Sequence, residues 1–186
     1  MRAIETEYAG CRFRSRLEAR WAVLFDALGL VWNYEPEGFD LGPVGRYLPD
    51  FFVPAWGAFV EVKPAPPTPI EDELCRQLGA DGRRVVMFAG EPWPFRHEVR
   101  LYGPRAVVMH SATLARCRRC PAMVYLGHNQ DGDPVAEANA EPHAHECENH
   151  DKWAVSPEHG AADVMAAYRA ARSARFEFGD TPTRPG

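Results

Sequence analysis

The chain alternates between apolar stripes at helical spacing and short apolar runs bounded by glycine and proline. From Ser15 to Leu28 the apolar residues recur at helical intervals, which predicts an amphipathic helix, and Gly29 is placed to end it. Four short strand-like runs follow, at residues 30–34, 39–41, 47–53 and 58–62. Proline and glycine between these runs indicate tight turns, so the first third of the chain predicts one helix followed by strands.

Another helix is predicted after these strands. Thr68 is expected to cap it, Pro69 occupies its first turn, and the helical pattern ends at about Leu78. Further strands are predicted at residues 84–88, 99–102 and 106–109. Periodicity is lost between residues 117 and 150 and returns in a final helix at about residues 161–175. The order helix, three strands, helix, strand predicts a mixed α/β domain with the sheet at its centre.

Composition indicates one medium globular domain, or a domain of about 110 residues with an appendage. The 186 residues are 46% hydrophobic, which is enough for one core, and no apolar run reaches the roughly 20 residues of a membrane span. The N-terminus lacks the charged and then apolar pattern of a signal peptide. A cytoplasmic location is therefore expected, where the five cysteines would be metal ligands or buried thiols rather than disulfides.

Charge is unevenly distributed along the chain. The net charge of −5 argues against a protein that coats nucleic acid in general. Residues 127–156 hold seven acidic residues and one basic residue, whereas residues 64–126 hold nine arginines and six acidic residues. A locally basic face can therefore still follow a phosphate backbone while an acidic segment dominates the sum.

Three charged residues stand where two strands should carry core residues. Asp50 opens one apolar strand, and Glu61 and Lys63 lie two apart on the next, so they share a face. Buried charge costs several kcal/mol per ion unless it is compensated, and a divalent cation is a natural compensator. The two carboxylates and the backbone carbonyl of Val62 offer three oxygens to one Mg²⁺. The alternative is a solvated strand edge with an ordinary ion pair.

A hydrated ion at this position would have a chemical consequence. Water on the ion has a lowered pKa and can attack a phosphate in line, while Lys63 holds that water or stabilises the charge that develops. Lysine is rare in this chain, with two lysines beside 19 arginines, which adds weight to position 63. Glu18, at the margin of the first helix's apolar stripe, is the expected fourth member. Its alternative role is a capping box with Ser15.

The motifs around these residues resemble those of the PD-(D/E)XK nuclease superfamily, which has a restriction-endonuclease-like core in the order α-β-β-β-α-β. The matching pieces are RSRLEARW, YLPDFFVP and FVEVKP, within about residues 7–90. The first of these, followed by YEPEGF, is particularly similar to small phage and actinobacterial nuclease domains. The resemblance implies that Asp50 and Glu61 bind Mg²⁺ or Mn²⁺, that Lys63 is the catalytic lysine, and that Glu18 completes the site. Pro64 departs from the small residue that is common after the lysine.

Several side chains near these motifs are candidates for contact with nucleic acid. The candidate phosphate contacts are Arg14, Arg16, Arg20 and Arg46. Each alone could equally be a solvated surface charge, but a negative substrate that approaches an acidic pocket needs such a cluster. Tyr47 and Trp56 could stack on bases, although packing in the core or in a loop is the favoured alternative for both.

Cysteine and histidine residues form a second chemical signal later in the chain. A C-x2-C pair and a C-x2-H pair, about 26 residues apart, have the spacing of a tetrahedral Zn²⁺ site. The preferred ligands are Cys117, Cys120, Cys147 and His150, with His145 or His143 as alternates to His150. The alternative is a set of surface cysteines beside a His-rich loop. Cys75, on the inner side of the second helix, is expected to be a core residue.

An iron–sulfur cluster is a further alternative, because some relatives in the superfamily carry one. Cys11 with Cys117, Cys120 and Cys147 would imitate that arrangement. The wide gap before Cys147 and the abundant histidines favour zinc instead.

These motifs divide the chain into four expected segments. They are a nuclease core at 1–112, a zinc-binding module at 113–156, a C-terminal helix at 157–178 and a disordered tail at 179–186. The resemblance implies a metal-dependent nuclease that hydrolyses DNA phosphodiester bonds in the cytoplasm of a bacterium or of a phage host, with a homodimer possible. The competing hypothesis is a catalytically silent nuclease-like fold that binds nucleic acid or protein and is stabilised by zinc.

Overall fold

The computed structural model describes residues 4–103, 106–116, 123–128, 130–131, 134–137 and 162–176. Three α-helices are present in these residues, close to the three predicted spans: α1 (Arg16–Ala27), α2 (Pro69–Ala80) and α3 (Ala162–Ser173). Ser15 caps α1 and Thr68 caps α2, where Thr68 and Glu71 form a reciprocal capping box. The polar residues that precede each apolar stripe therefore begin these two helices, as the sequence predicts.

The described residues form twelve strands. In chain order they are β1 (Thr6–Tyr8), β2 (Cys11–Phe13), β3 (Asn33–Tyr34), β4 (Phe39–Asp40), β5 (Arg46–Tyr47), β6 (Phe51–Val53), β7 (Ala58–Lys63), β8 (Arg84–Ala89), β9 (His97–Tyr102), β10 (Val107–Arg116), β11 (Met123–His128) and β12 (Pro134–Glu137). Eight of them make a central sheet in the order β12-β11-β10-β9-β8-β7-β6-β3. β7 and β8 are parallel and the other neighbours are antiparallel, so the sheet is mixed and the predicted α/β class is confirmed.

Some predicted strands were wrong in extent or place. The run at residues 47–53 is two elements, β5 and β6, because Pro49 interrupts it and has no N–H for a ladder. The run at 39–41 pairs with β5 in a separate two-stranded ribbon instead of joining the central sheet. The hairpin of β1 and β2 was not predicted, because three-residue strands are too short to show an alternation.

The helices cover both faces of the sheet. α1 and α3 pack together on one face and share the larger core with Val60 and Val62 of β7 and Phe88 of β8. α2 lies on the other face, where Cys75 and Leu78 pack with residues of β8. The hydroxyl of Tyr168 in α3 accepts a 2.9 Å hydrogen bond from the Leu114 N–H in β10. The C-terminal helix is therefore part of the main core.

The described part of the predicted zinc-binding segment extends the central sheet. β10 runs to residue 116, and β11 and β12 follow it as antiparallel neighbours. These strands were not predicted, because the segment shows no apolar periodicity. No zinc module is seen in the parts of 113–156 that the structure describes, and the proposed ligands at 117, 120, 143, 145, 147 and 150 lie outside them. Among the described helices, none is long and apolar enough to cross a membrane.

His97 provides a pH-dependent term in the stability of this core. It is buried among Trp21, Phe88 and Tyr168, and its Nδ1 lies 2.9 Å from the carbonyl oxygen of Trp93. Burial lowers its pKa from 6.5 to about 4, so the unfolded chain binds a proton that the folded chain does not. Stability should therefore fall as the pH drops from about 6.5 towards 4, by up to about 3 kcal/mol.

Urea unfolding at several pH values would measure this loss. The His97→Gln variant should show a flatter pH dependence than the wild type, whereas His128→Gln, at an exposed position on β11, should keep the wild-type slope. An unchanged slope in His97→Gln would contradict the assignment.

Candidate active site

The predicted acidic residues meet where β6 begins and β7 ends. β6 and β7 form a short hairpin, with a 3-10 turn at Pro54–Trp56 and Gly57 in the left-handed region at φ 56°. Phe51 pairs with Val60, so Asp50 lies level with Glu61, one position beyond the last pair. This antiparallel register aligns the two carboxylates on neighbouring strands. The sequence motifs alone do not reveal the register.

The side chain of Asp50 accepts a backbone hydrogen bond from β7 at the point where the pairing of β6 and β7 ends. It is buried, and its Oδ2 accepts a 2.8 Å hydrogen bond from the N–H of Val62. The neighbouring Lys63 carbonyl faces the opposite edge of β7, where it accepts a 2.7 Å bond from Gly90 N–H. Since N–H and C=O of one strand residue point to the same edge, the Val62 carbonyl faces the Asp50 side. That orientation is the one the sequence-based ligand set requires.

Glu61 and Lys63 form a close ion pair on the face that α2 covers. Lys63 Nζ lies 2.6 Å from Glu61 Oε1 and 3.4 Å from Oε1 of Glu71 in the first turn of α2. The hydroxyl of Tyr47 donates a 2.8 Å bond to Glu61 Oε2. Lys63 keeps about a quarter of its side chain exposed, whereas Glu61 is buried. The ammonium group therefore lies between a buried carboxylate and solvent.

The charge states of this pair follow from burial and proximity. Burial raises the pKa of Glu61, and the contacts with Lys63 and Tyr47 offset only part of that rise. For Lys63, burial alone would lower the pKa, but the attraction of Glu61, Asp50 and Glu71 outweighs it and raises the pKa above its ordinary value. Lys63 is consequently a persistent cation at neutral pH.

Glu18 forms hydrogen bonds with Ser15, as a helix-capping residue does, and also with Tyr34 and Arg14. The Ser15 hydroxyl accepts a 3.2 Å bond from Glu18 N–H and donates one of 2.6 Å to Glu18 Oε1. Glu18 Oε2 accepts bonds from the Tyr34 hydroxyl at 2.7 Å and from the Arg14 N–H at 3.2 Å. In a standard capping box the carboxylate would bind the Ser15 N–H, so the predicted cap is present in a shifted form.

The pKa of Asp50 depends on all of these charged groups. Burial raises its pKa most, followed by repulsion from Glu61 and then from Glu18, while the Val62 bond and Lys63 lower it. Two other buried carboxylates thus repel Asp50, and one ammonium group offsets part of this repulsion. This excess of buried negative charge is the condition that a divalent cation relieves.

The carboxylates are not arranged as a finished metal site. Among the described residues, no group of three or more His, Cys, Asp or Glu side chains is placed to hold a metal ion. Glu18 is bound to Ser15 and Tyr34 on the α1 side, and Glu61 is bound to Lys63 and Tyr47 on the α2 side. Asp50 is bound to the Val62 N–H and is repelled by both of the other carboxylates. A cation shared by all three would require Glu18 or Glu61 to turn towards Asp50.

The predicted phosphate-binding arginines occupy different surroundings. Arg14 pairs with Glu35 at 2.6 Å, and Arg46 is exposed on the β4–β5 ribbon next to Tyr47. Arg16 and Arg20 line one cavity beside α3. The structure therefore brings Arg16 and Arg20 together at a distinct surface, and it places Arg14 next to Glu18, to which its backbone N–H donates.

The aromatic and cysteine alternatives are resolved in favour of packing. Tyr47 and Trp56 are buried, so neither presents a ring for base stacking. Cys75 is fully buried 3.2 Å from the Tyr47 hydroxyl, and burial raises the pKa of its thiol to about 12, which keeps it unreactive. Cys11 is half-buried on β2, and the other cysteines of the iron–sulfur alternative lie outside the described residues.

Three partners of the site were missed by the sequence analysis. Tyr34 and Tyr47 open the motifs YEPEGF and YLPDFFVP, but those motifs do not reveal the bonds to Glu18 and Glu61, which depend on how separate strands pack. Glu71 had a signal, since Thr68-x-x-Glu71 is a capping-box pattern. Its carboxylate serves both the α2 cap and Lys63.

The arrangement can do two things chemically. Its excess negative charge can bind a hard cation through oxygen ligands, and its partly exposed ammonium group can stabilise an anion that arrives from solvent. Comparisons with models of known families, with curated proteins and with solved structures found no match to this chain.

Proposed function

We propose that this chain is a metal-dependent nuclease of the PD-(D/E)XK type, with a restriction-endonuclease-like core, that hydrolyses phosphodiester bonds in DNA. The observation that carries the proposal is the burial of Asp50, which is repelled by Glu61 and Glu18 and attracted by the ammonium group of Lys63. A fold that buries Asp50 against the charges of Glu61 and Glu18 loses stability unless a ligand compensates it. The order of α1, the three central-sheet strands β3, β6 and β7, then α2 and β8 is compatible with that core.

Mg²⁺ or Mn²⁺ fits the donor set better than a softer metal. Asp50, Glu61 and the Val62 carbonyl would hold the ion, and Glu18 would complete the site, all through hard oxygen ligands. When bound, the ion would supply Lewis-acid chemistry, by drawing charge from a phosphate oxygen and lowering the pKa of water.

The chain's own residues have separate tasks in this scheme. Lys63 remains protonated because its pKa is raised, so it stabilises negative charge on the phosphate and does not act as a general base at neutral pH. Glu61 and Glu71 hold its ammonium group at the strand end. Tyr47 fixes the other oxygen of Glu61. The pair is therefore positioned before any substrate arrives, which lowers the cost of reorganisation.

A second candidate is a silent nuclease-like fold that binds nucleic acid or protein, stabilised by Zn²⁺ at the Cys and His residues. A specific observation favours it: Glu18, Asp50 and Glu61 each have a structural hydrogen-bond partner. A fold that uses these carboxylates only as hydrogen-bond acceptors would need no metal. Cleavage activity separates the two candidates.

The test is cleavage by the full chain in Mg²⁺ or Mn²⁺, with a panel of plasmid, nicked duplex, flap, four-way junction and single-stranded DNA. The wild type should cleave at least one substrate, and a chelator should stop the reaction. Lys63→Met should lower the rate by about 10²-fold, because it removes the cation that stabilises the phosphate.

The matched control removes a cation from the other end of the parallel strand pair. Arg83→Met, in the exposed turn before β8, should keep the wild-type rate. A wild type that cleaves none of these substrates with either metal would exclude the nuclease and favour the binding module.

A further inference from the structure

A cavity rich in arginine lies between α1 and the C-terminal end of α3. Its volume is roughly 360 Å³, and its lining includes Arg16, Arg20, Arg172 and Arg175, with Phe176 as an apolar wall. Arg16 and Arg20 come from α1, Arg172 from the last turn of α3 and Arg175 from the residues just after it. The C-terminal pair lies outside the part of the chain that resembles the nuclease superfamily. A site for an anion built by both helices is therefore a feature of this chain's own architecture.

The cavity adjoins the strand end that carries Lys63. Arg20 binds Glu91 at 2.9 Å, and Glu91 directly follows Gly90. The N–H of Gly90 donates to the Lys63 carbonyl at 2.7 Å, and its own carbonyl accepts a 3.1 Å bond from Trp21 Nε1. A short path of contacts thus leads from the cavity to the backbone of Lys63, whose side chain lies on the α2 face. One extended polyanion that passes around this strand end could contact both.

Arg172 is held in a geometry that suits an anion. Its guanidinium carbon lies 3.3 Å from the centroid of the Trp93 ring, and Arg96 lies over the same ring at 4.7 Å. Stacking uses the face of the guanidinium group and leaves the N–H donors in its plane to form bidentate bonds. The side chain is therefore ordered without using up its donors.

We infer that this cavity binds a backbone phosphate of the nucleic-acid strand whose scissile phosphate lies at the candidate active site. Guanidinium groups from two helices surround a tetrahedral anion better than a planar carboxylate, because phosphate presents oxygens on several sides. The chain has a net charge of −5 and the candidate active site is acidic, so both repel a polyanion. The positive charge of this cavity attracts the polyanion and offsets that repulsion. The identity of the strand rests on the proposed function, but the phosphate contact does not require cleavage.

The test measures binding of the full chain to labelled single-stranded and duplex DNA by fluorescence anisotropy in a chelator, at several salt concentrations. The double variant Arg172→Gln/Arg175→Gln should bind about 10-fold or more weakly. The slope of log K against log[salt] should also fall by about 1 to 2, since up to two phosphate contacts are lost. Arg169→Gln is the control, because Arg169 is exposed on the same helix and does not line the cavity.

A folding check, a second double variant and binding of inorganic phosphate or pyrophosphate complete the test. Thermal unfolding checks that the double variant folds, and Arg172→Lys/Arg175→Lys, which keeps the charges but not the planar forks, should bind with intermediate affinity. The inference is overturned if the Gln variant binds like Arg169→Gln with an unchanged salt slope, or if wild type binds no DNA and only inorganic phosphate or pyrophosphate. If the wild type binds DNA through these arginines but cleaves none, the nuclease proposal is wrong and this inference still holds.

Discussion

Asp50→Asn should lower DNA cleavage by at least about 10³-fold and at the same time raise the thermal stability of the metal-free protein. The loss of activity is expected because Asn has no negative charge for a divalent cation. The gain in stability is expected because burial and repulsion from Glu61 and Glu18 raise the pKa of Asp50, so its ionised form destabilises the fold at neutral pH. The Asn side-chain oxygen can still accept the Val62 N–H bond.

Two measurements on the same samples check this prediction: plasmid cleavage in Mg²⁺ and thermal unfolding in a chelator. Asp81→Asn, in the exposed turn after α2, is the matched control and should change neither quantity much. A variant that keeps near wild-type cleavage would exclude Asp50 as a metal ligand. A variant that is inactive and also less stable would mean that Asp50 is a structural acceptor whose charge the fold needs.

Trp21→Ala should cost about 3–5 kcal/mol of unfolding free energy, a large share of a typical domain's stability. Trp21 is fully buried, stacks on Phe88 with 4.2 Å between ring centroids, and meets His97 edge to face at 5.1 Å. Its indole N–H donates to the carbonyl of Gly90 at 3.1 Å. The substitution therefore leaves a cavity in the larger core and an unpaired backbone acceptor beside the strand end that carries Lys63.

Urea unfolding of three proteins separates the two contributions. Trp21→Phe keeps most of the aromatic packing but removes the indole donor, so it should cost less than the alanine variant, on the order of 1–3 kcal/mol. If Trp21→Ala unfolds with a free-energy change within about 1 kcal/mol of wild type, the packing of Trp21 against Phe88 and His97 does not stabilise the core as expected.

Local sequence patterns predicted those parts of the fold that depend on neighbouring residues. α1 and α2 begin at Ser15 and Thr68 because a capping side chain needs only the backbone N–H groups two or three residues ahead. Glu61 and Lys63 share a face because side chains two apart on a strand always do. The strand limits around Pro49 were wrong, because the pairing of strands and not their apolar content decides where a ladder ends.

Contacts between distant segments could not be predicted in the same way. Glu18 accepts hydrogen bonds from the Arg14 N–H and the Tyr34 hydroxyl only because of how α1 lies over the strands. The cavity lined by Arg16 and Arg172 exists only because of where α3 packs. β11 and β12 show no alternation of apolar and polar residues, and their placement depends on pairing beside β10 and on the burial of Met123 and Tyr125 in the larger core.

The amino-acid sequence by itself determined the class of the fold, the starts of two helices and the presence of carboxylates and a lysine at two adjacent strands. These features follow from short-range spacing and side-chain chemistry, which each segment carries wherever it lies. The tertiary structure alone decided that Asp50 meets Val62, that Lys63 is held between Glu61 and Glu71, and that two helices far apart in the chain share one arginine-lined cavity. Those outcomes depend on strand register and helix packing, which are properties of the whole core and not of any one segment.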